Sequence, residues 1–213
     1  MRVLMFVGLL LMFAGVVFAQ EVSVYGLLRT GVKANGGGAT YNMAEIDVQK
    51  RRVWAIIGAI GFPDGRTAEV YAGPGYDFIS KDKFYLHGEL LLDKQVGSNT
   101  RHALFITPVL LTGGVVLPKT KWQLFAFPYL PADANGQFQF VLERAHVWRE
   151  THCGSLGGGL GMYCAEQLTC QPKPFVSYAP PLWGRKVQIW YQYNSRTGQK
   201  QIQLRFYGKL WGR

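Results

Sequence analysis

Charge is scarce in this chain. Asp, Glu, Lys and Arg make up only 17% of its 213 residues, against about 25% in an ordinary soluble domain. Acid is scarcer than base: 13 Asp+Glu stand against 23 Lys+Arg, a formal net charge of +10. The low charge and a hydrophobic share of 48% exclude a disordered segment, which needs the opposite balance. Cysteine is nearly absent. There are three, Cys153, Cys164 and Cys170. An odd number allows at most one internal disulfide and leaves one thiol. Long apolar runs are missing after the first twenty residues, so no membrane helix of about 20 residues is expected there. No long stretch repeats every 3.6 residues, which excludes a helical bundle.

Enzyme signatures are missing too. "GSLGGGLG" lacks the "GK[ST]" ending of a phosphate-binding loop. "CGSLG" around Ser155 lacks the spacing of a nucleophile elbow. Glu143 and His146 in "LERAH" lie three apart, which on a strand puts them on opposite faces. His87 and Glu89 share a face, but two residues do not make a metal site. His152 beside the three cysteines does not follow a known zinc spacing. The expectation is no enzyme, no cofactor and no metal.

What is present begins with "MRVLMFVGLLLMFAGVVFAQ". A positive Arg2, an apolar run over residues 3–18 and the small-residue spacing of "VFA" are the parts of a secretory signal peptide. Residues 1–19 are expected to be removed, leaving residues 20–213 as one domain. Cleavage removes Arg2, so the mature charge is about +9. No Cys follows the cut, which argues against a lipid anchor. Export implies an oxidising compartment and makes nucleic acid an unexpected partner. Residues 149–172, which hold all three cysteines and many glycines, read as a Cys/Gly-rich loop pinned by one disulfide whose pairing stays open.

The rest alternates with period two, the signature of strands. "EVSVYGLLRT", "KFYLHGELLLD", "QFQFVLERAHVWRE" and "QIQLRFYGKLW" are examples, separated by turn residues. "AEIDVQKRRVWAIIGAIGF" is long enough for one bent strand or two. "ALFITPVLLTGGVVLP" reads as two strands with a turn at "TGG". The total is nine or ten strands. One face is repeatedly Leu, Ile, Val and Phe and the other Gln, Arg, Lys, Glu and Tyr, while "VWAIIGAIGF" is apolar on both faces, as suits a strand covered on both sides. Several run to 11 residues or more, as membrane strands must. Trp122, Trp148, Trp183, Tyr193 and Trp211 lie near strand ends, where interface aromatics gather.

The segment "DVQKRRVWAIIGAIG", with Arg51-Arg52 doubled before an apolar strand and its glycines, resembles the early strands of porin-like outer-membrane proteins. With the alternation, it points to an antiparallel up-and-down β-barrel of about 8–12 strands in the bacterial outer membrane. Such a barrel meets outer-membrane lipid or lipopolysaccharide on its apolar face. Its expected role is structural or that of a narrow channel, with small anionic solutes as cargo because of the basic balance. The candidate lumen residues are Gln188, Gln192, Gln201, Gln203, Arg205, Lys209, Tyr85, His87, Glu89 and Arg51. The same alternation also fits a secreted or periplasmic soluble β-barrel or sandwich that binds a ligand or glycan. Pro108, Pro128, Pro180 and Pro181 favour that alternative, since a closed barrel has no edge on which to place a missing donor.

Overall fold

The structure is a computed structural model. It describes residues 22–34, 41–62, 66–81, 83–97, 104–117, 122–133, 139–164, 170–182, 186–194 and 198–211. The expected signal peptide, Trp183 and the last two residues lie outside them.

Among the described residues thirteen strands follow one another: β1 (Val22–Lys33), β2 (Asn42–Lys50), β3 (Val53–Gly61), β4 (Thr67–Lys81), β5 (Phe84–Gly97), β6 (Leu104–Leu117), β7 (Trp122–Tyr129), β8 (Ala132–Asp133), β9 (Phe140–Thr151), β10 (Gly154–Cys164), β11 (Cys170–Ala179), β12 (Val187–Tyr193) and β13 (Lys200–Trp211). All pair antiparallel in one sheet. β1 pairs with β13 and β5 with β6, so the sheet closes on itself. Twelve strands form the barrel wall, and the two-residue β8 adds only a short pairing to β6.

The faces are inverted relative to a soluble protein. Leu28, Ile46, Leu90, Ile106, Val176 and Leu204 are exposed on the outside. Asp47, His87, His146, Gln192, Gln203 and Arg205 are buried inside. Water outside would make this arrangement costly on both faces. Hydrocarbon outside makes it favourable, since closure leaves no unpaired edge for lipid to meet. The soluble barrel or sandwich is thereby replaced by a membrane-type barrel.

The prolines find places compatible with closure. Pro180 follows the end of β11. Pro128 sits at a register shift between β7 and β9. Pro108 keeps its carbonyl in use, accepting from the Leu130 N–H at 3.0 Å. Among the described residues, β12 pairs with β11 over Phe175–Tyr178. Pro172 and Pro174, at the start of β11, lie opposite Met162 and Leu160 of β10.

Several local expectations change. Residues 44–62 form two strands, β2 and β3, split at residues 51–52. Arg51 lies in that turn at a positive φ of 56° and is exposed, so it is not a lumen residue. The "TGG" of β6 is not a turn, because β6 runs through it. Gly113 instead clears room on the inner face, where a Cβ would come within 2.7 Å of the Leu124 carbonyl oxygen and the Tyr85 ring. Residues 154–164 are not a loop but the strand β10. Glycine on its inner face lets neighbouring aromatic rings fill the space. Trp148 lines an inner cavity rather than an interface belt.

The connections differ at the two ends. At the end holding Val22 and Trp211 three of them are two residues long, at residues 51–52, 82–83 and 152–153, beside longer ones at residues 118–121 and 180–186. At the other end they span residues 34–41, 98–103 and 194–199. Outer-membrane barrels place short turns on the periplasmic side and longer loops outside. The disulfide joins Cys164 to Cys170, across the β10–β11 connection at the long-loop end. Cys153 is the free, exposed thiol at the short-turn end.

Candidate functional site

One break in alternation builds the centre of the lumen. Leu160 pairs with Ala145 and Met162 with Leu142, so Glu143 and Arg144 together oppose the single residue Gly161. The β7 side shows the same shift, between Phe127–Arg144 and Pro128–Leu142. This is a β-bulge, which puts one extra residue into a strand and re-aims its side chains. Glu143 therefore turns inward on the same side as His146, contrary to simple parity.

Inside, Glu143 meets arginines from the opposite wall. Arg205 Nη1 of β13 donates to Glu143 Oε1 at 2.8 Å. Arg29 Nη1 of β1 donates to the same oxygen at 3.1 Å. Arg144 Nη1 lies 3.3 Å from Oε2. Three guanidiniums thus share one carboxylate. Arg29 Nε and Glu143 Oε2 are buried with no hydrogen-bond partner among the described residues.

Arg205 is fixed independently of Glu143. Its Nε and Nη2 both donate to Gln203 Oε1, at 3.2 and 2.9 Å. Its guanidinium lies 3.7 Å above the centre of the Trp190 ring. Trp190 stacks in turn on Phe175 at 3.9 Å and donates through Nε1 to Gln188 Oε1 at 2.9 Å. Such a cation over a buried indole is held by the ring quadrupole. Gln203 Nε2 donates to Gln192 Oε1 and Gln201 Oε1, both at 3.1 Å. The period-two run of β12 and β13 makes this ladder, since alternate residues share a face.

The rings need room, and β10 gives it. A Cβ on Gly157 would lie 2.6 Å from His146 Nε2 and 2.7 Å from Trp148 Cβ. On Gly159 it would collide with the Ala145 carbonyl oxygen and approach Phe175. His146 Nε2 sits 2.8 Å from Ser177 Oγ, enclosed by Phe175, Trp148 and Trp190. Beside this pair lies a cavity of about 250 Å³ that also reaches Glu150 and Gln188.

The wall formed by β2–β5 has opposite chemistry. The Tyr71 hydroxyl donates to Glu45 at 2.6 Å. His87 lies between Asp77, at 2.7 Å, and Glu89, at 3.1 Å. Beside them Ile56, Tyr71, Leu91 and Val109 form an apolar cluster inside the barrel, joined by Trp54 and Phe127. This explains "VWAIIGAIGF", apolar on both sides: one face meets lipid and the other this inner cluster. The lumen is therefore narrowed by side chains, with the arginines of β1, β9 and β13 meeting inside it and carboxylates lining β2–β5.

Gln192, Gln203 and Arg205 are buried inside, and Gln188, Gln201 and Lys209 share their faces. Tyr85, His87 and Glu89 lie together on the inner face of β5. The pairing brings Gln192, Gln201, Gln203 and Arg205 into one network, with His87 and Glu89 on the acidic wall. Arg29, Arg144, Trp190, Phe175 and the inward turn of Glu143 are not among the sequence candidates. One signal for the last was available: in "LERAH" two charged residues stand together between apolar ones, a slip of phase.

No protein-family model matches the chain, and no curated protein matches it. Solved structures do. The chain is similar to KdgM porin, with a TM-score of 0.55 and 10% identity, over 86% of this chain and 97% of that one. It is also similar to KdgM porin in complex with disordered oligogalacturonate, with a TM-score of 0.56 and 12% identity, over the same shares of 86% and 97%. At these identities the likeness is one of fold: this chain has a porin-like outer-membrane β-barrel fold.

Proposed function

We propose that this protein is a small porin-like barrel of the bacterial outer membrane, carrying a narrow channel that prefers small anionic solutes. The supporting observation is the inner cluster of Arg29, Arg144 and Arg205, where three fixed positive charges face a single carboxylate. The surplus charge attracts anions, and a low-dielectric lumen strengthens the attraction. Twelve strands lie between the filled eight-strand barrel and the wide pores of 16 or more, so a narrow passage is expected. The carboxylates of β2–β5 share the same lumen and work against this preference, so the sign of the reversal potential reads which group prevails.

Acidic oligosaccharides are the favoured solute class. Their carboxylates suit arginine, and their rings suit an aromatic surface such as Trp190 with Phe175. The solved complex with oligogalacturonate supports the choice. The outer face is assigned to outer-membrane lipid and lipopolysaccharide, and the chain to export after loss of residues 1–19. No catalytic role is assigned.

The test is conductance in a planar lipid bilayer. In a tenfold KCl gradient the reversal potential should have the sign of chloride permeation. Oligogalacturonate should block current at lower concentration than an uncharged oligosaccharide of equal length. A cation-selective reversal potential, with no block, overturns the reading.

A further inference from the structure

We infer that Glu143 is a tethered occupant of the channel's own anion site, which a carboxylate solute must displace. This deepens the channel reading above and rests on it. Three observations carry it.

The first is placement. A bulge is spent to bring Glu143 inward, where regular pairing would send it to the lipid face. Its carboxylate then reaches two strands on the far side, β13 at 2.8 Å and β1 at 3.1 Å. It spans the lumen rather than bracing neighbouring strands.

The second is unequal restraint. Arg205 is held by Gln203 through two nitrogens and by the face of Trp190. Arg144 lies 4.5 Å from the centre of the Phe125 ring. Both guanidiniums have anchors besides Glu143. The carboxylate has no such support: its hydrogen bonds come from the arginines, and Oε2 has none. When a competing anion arrives, Glu143 is the member that yields.

The third is stoichiometry. One carboxylate leaves three guanidiniums undersupplied, with Arg29 Nε unpartnered among the described residues. Two carboxylates of an oligomeric solute could satisfy what one Glu cannot, since an arginine fork accepts a carboxylate in bidentate fashion. A site covered by its own side chain binds solute more weakly by the fraction of time it is open. Coverage of about nine-tenths lowers apparent affinity about tenfold. Weak binding serves a channel, because solute must leave as well as enter.

Block by oligogalacturonate, measured on Glu143→Gln and wild-type barrels in planar bilayers, tests the inference. The tethered-anion reading expects block about tenfold tighter in Glu143→Gln, with greater chloride selectivity. A bracing role for Glu143 expects the reverse, weaker block as the arginines lose their order. Unchanged or weaker block in the variant therefore overturns the inference. If wild type is anion-selective and blocked, the channel reading survives that loss. If wild type and variant are both cation-selective and unblocked, the channel reading fails as well. Should Glu143→Gln not assemble, Glu143→Asp keeps the charge and draws it back by one methylene. Its block should tighten about threefold, and block equal to wild type overturns the inference.

Discussion

Glu143 on β9 and Arg205 on β13 meet at 2.8 Å, although β10, β11 and β12 separate their strands around the wall. The contact is a chord across the barrel. Stability and permeation both pass through it, which makes Arg205 the first residue to change.

Arg205→Met removes a buried guanidinium and leaves Glu143 with Arg29 and Arg144. Breaking a buried pair costs about 3–5 kcal/mol, and the remaining partners place this one near about 3 kcal/mol. The temperature at which the folded band converts to the unfolded one on an unboiled gel should fall. Chloride selectivity in bilayers should fall with it. A variant with wild-type thermal conversion contradicts a supporting role for the chord.

Gly159→Ala should destabilise the barrel by about 1–3 kcal/mol, the cost of overpacking. The added methyl collides with the Ala145 carbonyl oxygen and approaches Phe175. Gly61→Ala is the matched control, since its nearest neighbour would be the Asn42 oxygen at 3.9 Å. Urea titration of the two variants in lipid vesicles should shift the midpoint for the first and leave the second near wild type.

Leu90→Arg tests the bilayer directly. Leu90 is central in β5 and 52% exposed on the outer face. An Arg at the hydrocarbon midplane costs about 2–4 kcal/mol. Gln95→Arg, on the inner face of the same strand, should cost little. Insertion yield into vesicles should separate the pair. Equal yields contradict a lipid-facing β5.

Cys153 reports orientation. It is exposed in the connection between β9 and β10, at the end with the short turns that outer-membrane barrels keep in the periplasm. A membrane-impermeant maleimide should label it only after the outer membrane is permeabilised. Labelling on intact cells reverses the assignment.

Much of the fold was legible because a strand's period of two needs only neighbouring residues. "QIQLRFYGKLW" displays its Ile202–Leu204–Phe206 face and its Gln201–Gln203–Arg205 face without help from the rest of the chain. The same holds for β5, whose Leu90 and Leu92 alternate with Glu89, Leu91 and Asp93. Glycine misled where it usually marks a turn. In β6 and β10 it lies within a strand, because Tyr85, Phe175 and His146 need the space that side chains at Gly113, Gly159 and Gly157 would occupy.

The sequence by itself determined that the chain alternates apolar and polar residues along long strands, and so which residues travel together on a face. It could not say which face turns inward, since a protein core and a bilayer are both apolar and both satisfy the same pattern. Closure of β1 on β13 and of β5 on β6 decided that: with no free edge, the apolar face could lie outside and the polar face inside. Nor could the sequence place Glu143 against Arg29 and Arg205. That contact depends on one extra residue in β9 and on the curvature of twelve strands, which bring distant parts of the chain within the reach of a side chain.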